Sequence, residues 1–155
     1  MSFKNKNIAY LNNHDIEEKS IDFINEYYMN TDIKAPIDVF NMVEYLGYDL
    51  DFNKEGIFNN SDILGATYNN EKIVQINEKI VNQKGRMHFT IAHEIGHILL
   101  HSDYENNVFC RKNEGQFGIK KNQLEVQADK FAAFLMMPSV LINNAFYECY
   151  NKAQI

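Results

Sequence analysis

A chain of 155 residues that is 45% hydrophobic and 13% aromatic carries enough apolar material for one core, and that composition is of the globular class, not the disordered one. Its net charge of -6, with basic residues scattered except for short pairs such as Arg111-Lys112, argues against direct binding to nucleic acid, which needs clustered cations to neutralise phosphates. The two cysteines, Cys110 and Cys149, match no C-x-x-C pattern and are expected as free, buried thiols.

The opening stretch, MSFKNKNIAYLNNHD, holds no apolar run long enough for a signal peptide, and nothing downstream approaches a transmembrane length. The chain therefore reads as cytoplasmic, without a membrane partner. Residues 1–155 are taken as a single domain, with the Asn- and Lys-rich segment 1–14 flexible. From 15 to 29 the residues Ile16, Ile21, Phe23, Ile24, Tyr27 and Tyr28 recur mostly at three and four, which predicts an amphipathic helix. Pro36 suits the first position of a second helix and Gly47 its end, with Ile37, Val39, Phe40, Val43 and Leu46 turned inward.

Residues 48–52 alternate apolar side chains with Asp, as a strand with one wet face does, and 54–62, with Gly and paired Asn, reads as a loop. The β-prone runs 63–68 and 72–76, joined at Asn69-Asn70, predict a hairpin. The expected result is a small antiparallel three-stranded sheet, one edge of which could accept an extended peptide by strand addition.

Gly85 is expected to break the chain before the next helix, and the stretch 102–120 to form a long loop able to cover a site. A helix over 121–136 follows, with Leu124, Ala128, Phe131 and Leu135 as its apolar stripe and Glu125 and Asp129 one turn apart beside it. Small Ala128 and Ala132 would let another helix approach closely. Pro138 ends that run, and 139–150 can form a last helix packing through Val140, Leu141, Phe146 and Tyr147. The fold class is α+β, the sheet packed against the helix of residues 89–101 and several further helices.

That helix, FTIAHEIGHILLH, carries the chemistry. His93, Glu94 and His97 stand as H-E-x-x-H, which puts two imidazoles one turn apart on a single face with a carboxylate beside them. Thr90, His93, Glu94, His97 and His101 fall in one stripe about 100° wide, while the other positions from 89 to 100 are apolar or Gly. A helix apolar almost all round is buried, and burying such a stripe costs several kcal/mol unless it is paired or bound to metal.

Two imidazoles from one helix supply two corners of a zinc tetrahedron, and a catalytic site needs a third protein ligand. His101 extends the stripe, but about 12 Å of helical rise separates it from His93. Asp103 holds the place of the last ligand in the metzincin pattern, where Leu100 replaces the Gly that turns the chain back. Glu125, on a following helix, is the best placed of the three. His88 lies roughly opposite His97 on the wheel and is not expected at the same ion.

The segment E-V-Q-A-D-K-F-A-A-F-L-M-M-P from Glu125 to Pro138 resembles the second motif of the ImmA/IrrE family of zinc metallopeptidases, and the first motif of that family is matched by Arg86, Phe89, Thr90, Ala92, His93, Glu94 and His97. The resemblance extends over residues 35–137. It implies one Zn2+ per chain held by His93, His97 and Glu125, Glu94 as general base and proton shuttle, and Asp129 supporting a ligand from outside. A carboxylate one turn beyond a ligand can accept the outer N–H of a ligating imidazole and fix its tautomer.

Amide hydrolysis is the reaction expected, with the metal lowering the pKa of a bound water and Glu94 taking its proton. His101 and Tyr104 are the nearest candidates for a donor to the transition state. The resemblance also implies an intracellular protein substrate, a helix-turn-helix DNA-binding repressor whose cleavage relieves repression at a mobile element or stress regulon. Two other classes remain open: a metal-dependent module that binds a regulator without cutting it, and one member of a toxin–antitoxin pair.

Overall fold

The helix with the H-E-x-x-H spacing starts earlier than expected. In this computed structural model, which describes residues 10–52, 63–103, 107–111 (backbone only) and 123–153, it runs from Lys84 to His101 and is called α3 below. Gly85 sits inside its first turn instead of breaking the chain before it. A glycine there costs only about 1 kcal/mol, and the first turn's N–H groups lack helical partners whatever residue stands there. The approach to α3 is shaped by Asn77: its side chain caps a short 3-10 turn, Glu78–Ile80, and its amide donates to the Ile63 carbonyl at 2.9 Å.

Ahead of α3 come two helices. α1, Asn13–Tyr28, opens on a reciprocal cap in which Asn12 Oδ1 accepts from the Asp15 amide and Asp15 Oδ2 from the Asn12 amide, at 2.9 and 3.1 Å. That cap fixes 12–14, which the composition had assigned to a flexible segment; residues 1–9 lie outside the described residues. α2, Val39–Tyr45, is capped by Asp38 and does not begin at Pro36. A side-chain acceptor for the first amides marks its start better than the fixed φ of a proline three residues upstream. Gly47 closes it as expected, at φ +83, a left-handed conformation that suits Gly.

The sheet has four strands in the order β1-β3-β2-β4: β1 Asp49–Asp51, β2 Ile63–Tyr68, β3 Ile73–Ile76 and β4 Asn107–Arg111. The hairpin of β2 and β3 forms as expected. Two corrections concern the others. β1 pairs with β3 in parallel, Asp49 opposite Ile73, so the sheet is mixed and not wholly antiparallel. Alternation identifies a strand but says nothing of its direction. β4 arises within the stretch expected as a loop and pairs antiparallel with β2, Ala66 opposite Phe109. The cover expected from the rest of 102–120 falls mainly on 104–106 and 112–120, outside the described residues.

α4, Gln123–Met136, lies against both α3 and α1. A Cβ on Gly96 of α3 would meet Phe131 Cβ and Cδ1 at 3.2 Å and Ala128 Cα at 3.3 Å, so Gly96 and Ala128 set how closely the two helices cross. Phe131 and Leu135 are fully buried beneath them, each worth about 2–3 kcal/mol of apolar transfer. α5, Ser139–Ala153, departs from expectation because none of its residues is buried; Phe146 and Tyr147 are 66% and 64% exposed, and only Leu141 leans on the core. Helical spacing shows that a face is apolar, not that anything covers it. Cys149 is free, and exposed where it was expected buried; the Cys110 side chain lies outside the described residues. No helix among the described residues is long and apolar enough to cross a membrane.

Candidate active site

Residues from Thr90 to Ile98 of α3 are all buried, the polar stripe included. His93 and His97, one turn apart, bring their Nε2 atoms to 3.0 Å, and both rings are 1% exposed. Glu125, in the first turn of α4, reaches across: Oε2 lies 2.9 Å from His93 Nε2 and Oε1 2.8 Å from His97 Nε2. One ligand atom from each of the three falls within 4.8 Å of the others. In a zinc tetrahedron with bonds of about 2.0–2.1 Å, neighbouring ligand atoms stand about 3.3 Å apart, so modest adjustment would seat a cation on this face. Two neutral imidazoles and one carboxylate are a donor set that zinc accepts.

The outer nitrogens of the two histidines are engaged as well. His93 Nδ1 meets Asp129 Oδ1 at 2.7 Å, one turn along α4 from Glu125. His97 Nδ1 meets His101 Nδ1 at 2.9 Å, and His101 Nε2 meets Gln127 Oε1 at 2.8 Å. Burial pushes the Glu125 carboxyl up, but the hydrogen bonds from His93 and His97 outweigh it and hold the group at about 2. Burial also lowers His101, to about 4 despite its bond to Gln127, so its ring is neutral near pH 7.

Glu94 is fully buried on the side of α3 that faces the sheet. Thr67 Oγ1, on β2, donates to Glu94 Oε2 at 2.6 Å, while Oε1 has no hydrogen-bond partner among the described residues. Gly65, two residues earlier on the same face of β2, makes room for that oxygen, since a Cβ there would stand 3.0 Å from Oε1. Burial raises the carboxyl above the ordinary range, against the pull of His97, His93 and the Thr67 hydroxyl. A carboxylate with raised proton affinity and one unengaged oxygen is suited to accept and return a proton.

The structure thus brings together His93, Glu94, His97, Glu125 and Asp129. It does not place His101 among the three clustered ligand atoms or where it could donate to a reacting oxygen, because its two nitrogens face His97 Nδ1 and Gln127 on the outer side of the site. Asp103 is exposed beyond the end of α3, which runs through Leu100 without turning back. Tyr104 lies outside the described residues. His88 Nδ1 approaches the Lys84 carbonyl at 2.6 Å and its ring packs on Phe40, away from the site. Thr67, Gly65 and Gln127 were not singled out in the sequence. Only the place of Gly65 and Thr67 at alternate positions of one strand offered a signal, and it carried no hint of Glu94.

The chain matches the IrrE N-terminal-like domain family (Peptidase_M78) over residues 43–155, a span that includes α3, the sheet and α4. It is similar to the metallopeptidase ImmA of Bacillus subtilis (strain 168), with 34% identity over 85 residues that make up 54% of this chain and 46% of that protein. The match therefore spans less than half of that relative's length.

Proposed function

Because the chain belongs to the Peptidase_M78 family through its IrrE N-terminal-like domain, we propose that it is a zinc-dependent endopeptidase of the cytoplasm, its ion held by His93, His97 and Glu125. The observation that carries this reading is the meeting of two buried imidazoles and a carboxylate from separate helices beside a buried Glu94 with one oxygen unengaged among the described residues. A zinc ion bound there would polarise a water and the scissile carbonyl.

The protein's own groups supply the rest. Thr67 anchors Glu94 through Oε2, so that Oε1 is the atom that receives the proton of the attacking water. As the water oxygen joins the carbonyl carbon and the C–N bond breaks, Glu94 passes that proton to the departing amine. Asp129 accepts from His93 Nδ1 and so keeps the other ring nitrogen available as a ligand. β4, with only β2 beside it in the described sheet, offers an edge to which an extended peptide could add.

The substrate we propose is a helix-turn-helix DNA-binding repressor, on the strength of the paired motifs; an acidic chain of net charge -6 suits a more basic partner. The test is to mix the zinc-loaded protein with the repressor encoded beside its gene and look for a defined fragment by mass spectrometry. Cleavage should stop with chelator and in Glu94→Gln, while that variant keeps about one zinc per chain and still binds the repressor. A repressor that binds equally to both forms and is cut by neither would make the protein a binding module.

A further inference from the structure

His97 is served differently from His93, and the difference defines a second set of working residues. Its outer nitrogen faces another imidazole, and an Nδ1···Nδ1 contact of 2.9 Å holds one proton, which either ring could supply. The choice is made at the far end. Gln127 Oε1, 2.8 Å from His101 Nε2, is an amide oxygen and can only accept, so His101 Nε2 carries the hydrogen. A neutral imidazole with its hydrogen on Nε2 has a bare Nδ1. Once a cation takes the place of the hydrogen that His97 Nε2 shares with Glu125 Oε1, 2.8 Å away, His97 donates from Nδ1 and its Nε2 lone pair faces the ion. We infer that His101 and Gln127 are positioning residues for His97, a buried two-residue relay that fixes its tautomer so that Nε2 faces the cation as a ligand.

This rests on the reading of His97 as a ligand. Three features of the relay support its role. His97, His101 and Gln127 are 1%, 1% and 3% exposed, so water does not compete for these bonds. The amide has a direction: turned over, it would donate to His101 Nε2, reverse both bonds and place the hydrogen on His97 Nε2, where no cation could bind. The relay is also neutral. Asp129 and Glu125 already bring two negative charges to the ring of ligands, which a divalent cation balances, and His97 gains its acceptor without a third.

The test uses the zinc-loaded protein with histidine ring nitrogens labelled. Two-dimensional proton–nitrogen spectra should show His97 with its hydrogen on Nδ1 and His101 with its hydrogen on Nε2; His101 carrying it on Nδ1 would overturn the relay, and no variant is needed for that result. Chelator competition with zinc supplies the second arm. Gln127→Leu should weaken zinc by about 10–100-fold, and Gln127→Glu, which keeps an acceptor, should restore most of it. If His97→Ala holds zinc as tightly as the parent, the ligand reading itself fails. If His97→Ala loses zinc while Gln127→Leu keeps the parent affinity, the relay alone fails.

Discussion

Gly65→Ala separates catalysis from metal binding by a single methyl group. The new Cβ would stand 3.0 Å from Glu94 Oε1, 3.0 Å from Thr90 Cγ2 and 3.4 Å from the Gln75 carbonyl oxygen. Ordinary contacts begin near about 3.5 Å, so Oε1 has to give by about half an ångström. The other carboxylate oxygen is pinned by Thr67 at 2.6 Å, and the group can yield only by turning or by breaking that bond. None of the three nearest atoms belongs to His93, His97 or Glu125. Misplacing a general base costs about 10²–10⁴-fold in rate. On stability, about 1–3 kcal/mol of overpacking is offset by about 0.5–1 kcal/mol from replacing a strand glycine, leaving roughly 0–2.5 kcal/mol. The expected outcome is kcat/KM on a cleaved repressor down at least 100-fold, zinc affinity by chelator competition within about threefold, and a thermal midpoint lower by less than about 10 °C. Activity within threefold of the parent, or zinc lost in step with activity, would refute the assignment of Oε1 as the proton acceptor.

Three further variants test other contacts. Thr67→Val removes a hydroxyl that lowers the Glu94 carboxyl; Glu94 works deprotonated, so the acid limb of the pH–rate profile should move to higher pH while the alkaline limb stays in place. Gly96→Val should push α3 and α4 apart at Phe131 and Ala128, and because ligand geometry tolerates only about 0.2 Å, zinc affinity should fall at least tenfold alongside about 1–3 kcal/mol of stability. Glu125 is held at about 2 against an ordinary 4.5, so its ionised form stabilises the metal-free fold fully above pH 4.5, and that contribution is lost as pH falls towards 2. Urea unfolding of the metal-free protein should therefore show a gap of up to about 3 kcal/mol over Glu125→Gln at pH 7 that closes through that window; a gap constant with pH would remove the proposed charge on Glu125.

The elements were readable wherever one segment carries its own instructions. Asn69-Asn70 between two β-prone runs fixed the hairpin of β2 and β3, and Gly47 and Pro138 marked helix ends through their backbone chemistry alone. β4 escaped because its pairing with β2 is made across more than thirty residues of sequence, and no property of N-V-F-C-R by itself says which edge it will join. The aromatic face of α5 failed for the opposite reason. Its pattern was clear, but burial depends on a neighbour, and α4 already covers the core with Phe131 and Leu135.

The site divides along the same line. His93 and His97 share a face because the α-helix dictates it, and Asp129 follows Glu125 by one turn, so the motif resemblance together with that spacing pointed to Glu125 as the proposed ligand and Asp129 as the acceptor for His93. His97 has no such neighbour on α4. The histidine stripe drifts about 40° around α3 with each step of four, which carries His101 away from His93, and Gln127 stands about 200° from Glu125 on its own helix. The two meet only because Gly96 and Ala128 let the helices cross so closely that α4 reaches both sides of the stripe. A single crossing distance thus sets two things together: whether Glu125 completes the ligand face, and whether Gln127 reaches His101 to orient His97. Widening it at Gly96 should therefore disturb the His101 tautomer and the zinc affinity in the same variant, whereas Gly65→Ala, acting from the sheet side, should leave both intact.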